Sequence, residues 1–218
     1  KAIRRQRQMC IRDSNNCLKR SIDLILAILF FLLLLPFFIL ISILIKCNSE
    51  GPILYKALRG GYHDIPFRIL KFRTMVVNAD KIGGNTTALN DPRITRVGKI
   101  LRKTKLDELP QLINIIKGEM SFVGPRPEVL AYTSKYTEEE KRILSVRPGI
   151  TDISSLKYIS LDEVVGAVNA DEYYETHVLH NKNLLRLEYV DKQSFSLDAK
   201  LFFLTIWGVF KKIFKLFK

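Results

Sequence analysis

Leu24-Ile-Leu-Ala-Ile-Leu-Phe-Phe-Leu-Leu-Leu-Leu-Pro36-Phe-Phe-Ile-Leu-Ile-Ser42-Ile-Leu-Ile45 is the stretch on which the architecture turns. It carries no charge and a single polar side chain, Ser42, and its 22 residues are about what a bilayer core requires. Helices buried in a soluble core rarely run so far without a polar break. A secretory leader fits poorly, because the apolar run is too long and Ile45-Lys-Cys-Asn-Ser-Glu50 offers no small-residue cleavage pattern. The stretch reads as a retained membrane segment.

Its flanks add topology. Arg12, Lys19 and Arg20 precede it, and Lys46, Lys56, Arg59, Arg68, Lys71 and Arg73 follow. Positive charge is retained on the cytoplasmic side, so a segment basic at both ends places both ends there. Pro36 sits near the middle, where its missing N–H and ring clash break or kink a helix. Flank charge leaves two forms open: a re-entrant hairpin turning at Pro36, and a straight span kinked there.

The whole chain has 218 residues, 35 Lys and Arg against 22 Asp and Glu, and a net charge of +13, which suits one domain with an anionic partner. Its 47% hydrophobic content excludes a disordered basic tail. Lys1-Ala-Ile-Arg-Arg-Gln-Arg-Gln-Met-Cys10 has neither an initiator Met nor apolar periodicity, and residues 1–18 are set aside as a basic segment or an assembly scar. Cys10, Cys17 and Cys47 lack C-x-x-C spacing, which argues against a disulfide framework or zinc knuckle and fits a reducing compartment.

Beyond the apolar segment, Gly51-Pro-Ile-Leu-Tyr-Lys56 and Pro66-Phe-Arg-Ile-Leu-Lys-Phe-Arg73 alternate as short strands around Gly60-Gly61, predicting a β-hairpin with Lys71 and Arg73 on one face. Lys81-Ile-Gly-Gly-Asn-Thr-Thr87 is a loop without P-loop spacing. Asp91-Pro92 opens a basic amphipathic helix in which Val97, Ile100, Leu101 and Thr104 share a face, a form suited to an anionic membrane surface. No helix-turn-helix, zinc-finger or RNP-like pattern supports nucleic acid as the partner.

Lys105-Leu-Asp-Glu-Leu-Pro-Gln111 then sets Asp107 and Glu108 side by side in cationic surroundings. Spacing predicts a helix starting between Asp107 and Pro110 and stopping at Gly118, with Leu112, Ile113, Ile115 and Ile116 on its apolar face. At its positive end the dipole favours ionised carboxylates. By spacing alone the pair reads more as a helix start, a capping Asp and a dipole-compensating Glu, than as a reactive acid site.

Pro66-Phe-Arg-Ile-Leu-Lys-Phe-Arg-Thr-Met75, Leu106-Asp-Glu-Leu-Pro-Gln111, Lys117-Gly-Glu-Met-Ser-Phe-Val-Gly-Pro-Arg-Pro127 and Val146-Arg-Pro-Gly-Ile-Thr151 follow one another after a membrane segment. In that order they resemble the signature blocks of the bacterial sugar transferases, the monotopic phosphoglycosyl transferases. The resemblance spans about residues 19–210. It implies transfer of a sugar 1-phosphate from a UDP-sugar to a polyprenyl (undecaprenyl) phosphate, the first step of surface-glycan synthesis. It also implies an Asp-Glu dyad at Asp107 and Glu108, Mg2+ held by that dyad, and a covalent phosphosugar intermediate on Asp107.

The physical chemistry is consistent with this. A carboxylate approaching a diphosphate meets like-charge repulsion, which cations must neutralise. Arg126, stiffened between Pro125 and Pro127, is the best candidate phosphate clamp, with Lys71, Arg73 and Arg147 behind it. The expectation is an α+β fold, mostly helical with a small β-hairpin, on a monotopic membrane protein. Residues 19–47 form a re-entrant helix and 48–218 a catalytic domain on the cytoplasmic face of the bacterial inner membrane. Partners are a UDP-sugar, polyprenyl phosphate and membrane lipid, with no nucleic acid; a homo-oligomer is left open. The competing class is a non-enzymatic, membrane-anchored basic adaptor.

Two departures from the family pattern stand out. Leu35 precedes Pro36 where members often carry Ser, whose hydroxyl satisfies a freed carbonyl. After Thr151 the chain reads Asp152-Ile-Ser-Ser-Leu-Lys157, and about 25 residues intervene before Leu187-Glu-Tyr-Val190 restores similarity. Within that insertion His177 and His180 share a helix face without a third ligand, and Asp171-Glu-Tyr-Tyr-Glu175 reads as a solvated face. Similarity returns at Ser194, Asp198 and Lys200. Beyond them Ile206, Val209, Phe210, Ile213 and Phe217 recur opposite Lys211, Lys212, Lys215 and Lys218, with Trp207 suited to the interface.

Overall fold

The computed structural model describes residues 2–82, 91–159 and 170–216. Outside the described residues lie most of the loop expected at 81–87 and the side chains of Arg12, Ile213, Lys215, Phe217 and Lys218.

Helix α1 (Ala2–Asn48) contains the apolar segment and stays helical through Pro36. Proline removes the N–H that would bond the Leu32 carbonyl. The rings of Phe31 and Phe38, one on either side, meet edge to face with centroids 5.3 Å apart and hold the adjoining turns together. Ala27, Ile41 and Ile45 are buried, and Phe30, Phe31, Leu34 and Phe38 pack beside them. Their spacing of three and four draws a single stripe down the helix. Leu29, Leu32, Leu33 and Phe37 face outward, each more than half exposed.

The stripe lies along the domain for its whole length. At one end Arg20 donates to the carbonyls of Ile115 and Ile116, at 2.6 and 3.1 Å, placing a cation at a helix C-terminus. Lys19 pairs with Asp198 at 2.6 Å, and Ser121 donates to Asp23 at 2.7 Å. At the other end Ile41 and Ile45 pack with Phe72 and Leu101.

Strands β1 (Leu54–Arg59) and β2 (Phe67–Phe72) form the expected antiparallel hairpin, with Leu54 opposite Phe72 and Arg59 opposite Phe67. Its connection is longer than a Gly-Gly turn, because the 3-10 turn Tyr62–Asp64 is inserted, with His63 and Asp64 at positive φ. After the short helix α2 (Ala79–Ile82), α3 (Arg96–Thr104) begins later than Asp91-Pro92 suggests. Thr95 caps it by accepting from the Gly98 N–H at 3.0 Å. Asp91 instead binds Arg93 at 2.7 Å. Leu101 and Thr104 are buried as expected, but Ile100 is 62% exposed. The inward position belongs to Gly98, where a Cβ would come within 2.0 Å of the Thr74 carbonyl.

Helix α4 (Gln111–Lys117) ends at Gly118, whose φ of 86° suits glycine. Asn114 ties it to the hairpin, accepting from the Leu70 N–H at 3.0 Å and donating to the Arg68 carbonyl at 2.8 Å. Strand β3 (Ser121–Val123) pairs in parallel with β4 (Gly149–Thr151); between them lie α5 (Leu130–Thr133) and the 3-10 stretch Glu140–Ser145. Helix α6 (Ile153–Lys157) follows, then α7 (Ala170–Tyr173), a π-turn at Tyr174–Val178, and α8 (Leu179–Lys192).

Helix α9 (Phe195–Leu216) closes the core. Leu201 and Phe202 pack inward, Phe202 against Phe122, and Thr205 meets Thr151 at 2.7 Å. The outward face holds Phe203, Trp207, Phe210 and Phe214, each more than half exposed. This helix therefore docks on the domain through one side and presents an apolar surface on the other. The lysine pattern alone suggested only the second role.

Candidate active site

Asp107 and Glu108 share one 3-10 turn, Leu106–Glu108, between α3 and α4. Lys105 ends α3 in the left-handed region, at φ 60°, and redirects the chain into this turn. Pro110 then takes the N-cap position of α4 without a side-chain hydrogen bond. Neither acid caps α4, which corrects the helix-start reading: a second, tighter turn intervenes.

Glu108 is held by two cations. Its Oε1 accepts from Lys71 Nζ at 3.1 Å and from the Arg126 guanidinium in a short ion pair. Burial pushes its carboxyl up, but Arg126 and Lys71 outweigh that and hold it well below the usual carboxylate range. Asp107 is also buried, and its Oδ1 has no hydrogen-bond partner. There burial dominates over Lys71, and the neighbouring charge on Glu108 adds to it, so the Asp107 carboxyl is pushed up. The sequence reading had the helix dipole favouring ionisation of both acids. In the fold it is Lys71 and Lys105 that oppose the desolvation of Asp107.

Arg126 reaches the dyad from the Gly124–Pro127 loop. Its guanidinium also donates to the Ile150 carbonyl at 2.7 Å, and its backbone N–H to Asp152 at 3.2 Å. The loop lies backbone to backbone on β4: Gly124 N–H meets the Thr151 carbonyl at 2.9 Å, and a Cβ on Gly149 would come within 2.1 Å of the Gly124 nitrogen.

Of the phosphate-clamp candidates, Arg126 and Lys71 converge on the dyad. Arg73 does not: its guanidinium binds the Ser49 and Glu50 carbonyls at 2.7 and 2.6 Å, clasping the end of α1. Strand β2 ends at Phe72, so the alternation that put Lys71 and Arg73 on one face stops short of Arg73. Arg147 lies over the Tyr62 ring at 5.0 Å and donates to the Gly118 carbonyl at 3.2 Å. Pro36 lies within α1, in the stretch exposed beside the domain.

Sequence reasoning missed three residues near the site. Asp152 is wholly buried, accepting from the N–H groups of Arg126 and Ser155 and from the Ser154 hydroxyl. An Asp before Ile-Ser-Ser is an N-cap signal, and that signal could have found it. Gln111 is wholly buried with both amide atoms unpartnered, one turn beyond Asp107. Arg186 is wholly buried in α8, and nothing in its spacing marks it.

Among the described residues no group of three or more His, Cys, Asp or Glu converges on a point. Mg2+ does not need one, since it commonly takes one or two protein carboxylates beside phosphate oxygens and water. The bare Oδ1 of Asp107, a hard oxygen beside a second acid, fits that mode.

A small α+β domain carrying a long apolar helix along its side, with adjacent carboxylates of which Glu108 is bound by two cations, defines a class: a membrane-associated protein with a paired-acid site. The chain belongs to the bacterial sugar transferase family, whose model matches residues 14–212. It is 37% identical over 200 residues to the UDP-glucose:undecaprenyl-phosphate glucose-1-phosphate transferase of Escherichia coli K12, covering 90% of this chain and 41% of that protein. It is 38% identical over 190 residues to the exopolysaccharide production protein ExoY of Sinorhizobium fredii, covering 80% and 82%. With the UDP-N-acetylgalactosamine-undecaprenyl-phosphate N-acetylgalactosaminephosphotransferase of Aeromonas hydrophila it shares 39% identity over 137 residues, covering 62% and 32%. The chain thus spans less than half of the first and third relatives and most of the second.

Proposed function

We propose that the chain transfers a sugar 1-phosphate from a UDP-sugar to undecaprenyl phosphate, initiating a surface glycan, with Asp107 as nucleophile. The names of its relatives support the substrates. The observation that carries the role of Asp107 is its bare, buried Oδ1 beside a Glu108 whose acceptor oxygen is already taken.

Asp107 attacks the sugar-bearing phosphorus; the bond to the bridging oxygen breaks and UMP leaves with the electron pair. An oxygen of the lipid phosphate then attacks the aspartyl phosphosugar, the Asp–phosphorus bond breaks and the carboxylate is restored. Arg126 and Lys71 turn from Glu108 toward the phosphoryl oxygens, countering the repulsion that a carboxylate nucleophile meets. Mg2+ held by Asp107 and Glu108 would supply further neutralisation of phosphate charge. Burial strengthens each of these interactions.

The site works at a membrane surface, proposed here as the cytoplasmic face of the bacterial inner membrane. Asn16–Asn48 is long and apolar enough to cross a bilayer, yet both its ends are bound to the same domain. That supports a helix held on the side of the membrane where the domain sits, rather than one that crosses it. The outward face of α9 and the exposed Arg96, Lys99, Ile100 and Lys103 of α3 suit an interface rich in anionic lipid.

The test is a panel of UDP-sugars incubated with undecaprenyl phosphate and Mg2+, reading UMP release. At least one donor turns over, and Asp107→Asn loses that activity by at least about 10³-fold. Failure of the wild-type chain across a broad panel refutes the reading.

A further inference from the structure

Arg126 lies between two carboxylates outside the dyad, the wholly buried Asp152 and the largely covered Glu128. On one side Asp152, wholly buried, accepts the Arg126 backbone N–H on Oδ2 at 3.2 Å. On the other Glu128 accepts on Oε1 from Arg186 at 2.6 Å, from Lys182 at 3.3 Å and from the Tyr174 hydroxyl in a short contact. The guanidinium of Arg186, itself wholly buried, links the two: its Nε stands 3.9 Å from Asp152 Oδ2 while its other end holds Glu128.

Asp152 also caps α6 through the Ser155 N–H at 2.6 Å. A cap alone does not require a charge, since Ser and Asn serve nearly as well. Nor does stability favour burying ions, because well-packed apolar residues in place of a buried ion pair are often neutral or stabilising. What the charges do here is geometric. They hold the Arg126 N–H on one side and Glu128, the residue after Pro127, on the other, and the Arg126 guanidinium reaches Glu108. Tyr174, Lys182 and Arg186 all come from the segment following α6, where the chain departs from its family pattern.

We propose that Asp152, backed by Arg186, is a positioning residue that aims Arg126 at the reacting phosphate; this rests on the catalytic reading of Asp107 and Arg126. Through it the segment carrying α7 and α8 sets the geometry of the phosphate clamp. Displacing a clamp by about 1 Å costs on the order of 10²-fold in rate.

A double-mutant cycle tests this on the full chain in detergent. Asp152→Asn and Asp152→Ser each keep a capping side chain and lose the carboxylate. Each is measured with Arg126 present and in Arg126→Ala, for kcat/KM with the donor that turns over and for binding of UDP by calorimetry. With Arg126 present, both measures fall about 10- to 100-fold. In Arg126→Ala the same changes cost less than about threefold, because the residue they act through is gone. Equal losses in both backgrounds, or none with Arg126 present, overturn the proposal. The UDP measurement separates it from the catalytic reading: no turnover by wild type refutes that reading, while coupling in UDP binding decides this one. Melting curves exclude unfolding, and the Ser variant decides if Asn does not fold.

Discussion

Replacing Glu128 with Gln keeps the shape of the cluster and removes the carboxylate that Tyr174, Lys182 and Arg186 share. Three donors converge on Glu128 Oε1, two of them cations at 5% and 0% exposure. Stripping a buried pair of one partner costs about 3–5 kcal/mol, because the other charge is left uncompensated. The two cations share that cost unequally. Burial already brings Lys182 down to about 8, with Glu128 opposing the shift. Without Glu128 it falls further and Lys182 sheds its proton, which limits its share. Arg186 has no such release, and Asp152 at 3.9 Å is its remaining counter-charge. The loss therefore falls near the lower end, about 3 kcal/mol. For a chain of this size that lowers the melting temperature by about 6–12 °C.

Thermal melting in detergent reads this directly, alongside Arg186→Met and the double variant. The double variant should melt above Glu128→Gln alone, because the stranded guanidinium has been removed. A drop of less than about 2 °C in Glu128→Gln, or strict additivity in the double variant, refutes the reasoning.

Burial dominates at Asp107, and its sign gives two further expectations. A carboxyl raised in the fold is held above its unfolded value, so its ionisation at neutral pH costs stability. Asp107→Asn therefore melts higher than wild type while losing turnover, which a melting curve beside the UMP assay checks. In the metal-free chain the Asp107 carboxyl titrates above the ordinary carboxylate range; Lys71→Met removes a charge that lowers it and moves that titration, followed by carboxyl NMR, to higher pH, with a loss of turnover of about 10- to 100-fold in the Mg2+ assay. Cys17 and Cys47, both free and exposed, flank the apolar stretch, and a membrane-impermeant maleimide should label both from the same side of sealed vesicles. Replacing Phe203 and Trp207 with Asp should lower the bound fraction in flotation with phosphatidylglycerol vesicles at least threefold, without changing the melting temperature.

How far the sequence reaches depends on the kind of information at each position. Uncharged length identified the helix at residues 24–45, and alternation found both hairpin strands, because each pattern is local. Gly118 marked the end of α4 through the one conformation it supplies easily. The parallel pairing of Ser121–Val123 with Gly149–Thr151 joins strands separated by 25 residues, and no local pattern encodes it. Likewise Lys71 and Arg126 were named as cations, but their shared partner Glu108 emerges only when hairpin, turn and loop meet. Arg73 stays apart from the dyad for the complementary reason: its charge is committed to the end of α1.

The pairing of Glu108 with Arg126 and Lys71 bears on how the site selects its visitors. Before any donor arrives, the guanidinium and the ammonium already face an anion that belongs to the protein. A phosphate must displace that tethered rival, so affinity reflects the margin by which it is the better partner. A bare sulfate or chloride gains little from the exchange, whereas a diphosphate brings enough charge and reach to win both cations at once. On the proposed function, the pair then works as an internal filter, favouring the proposed nucleotide sugar over common small anions.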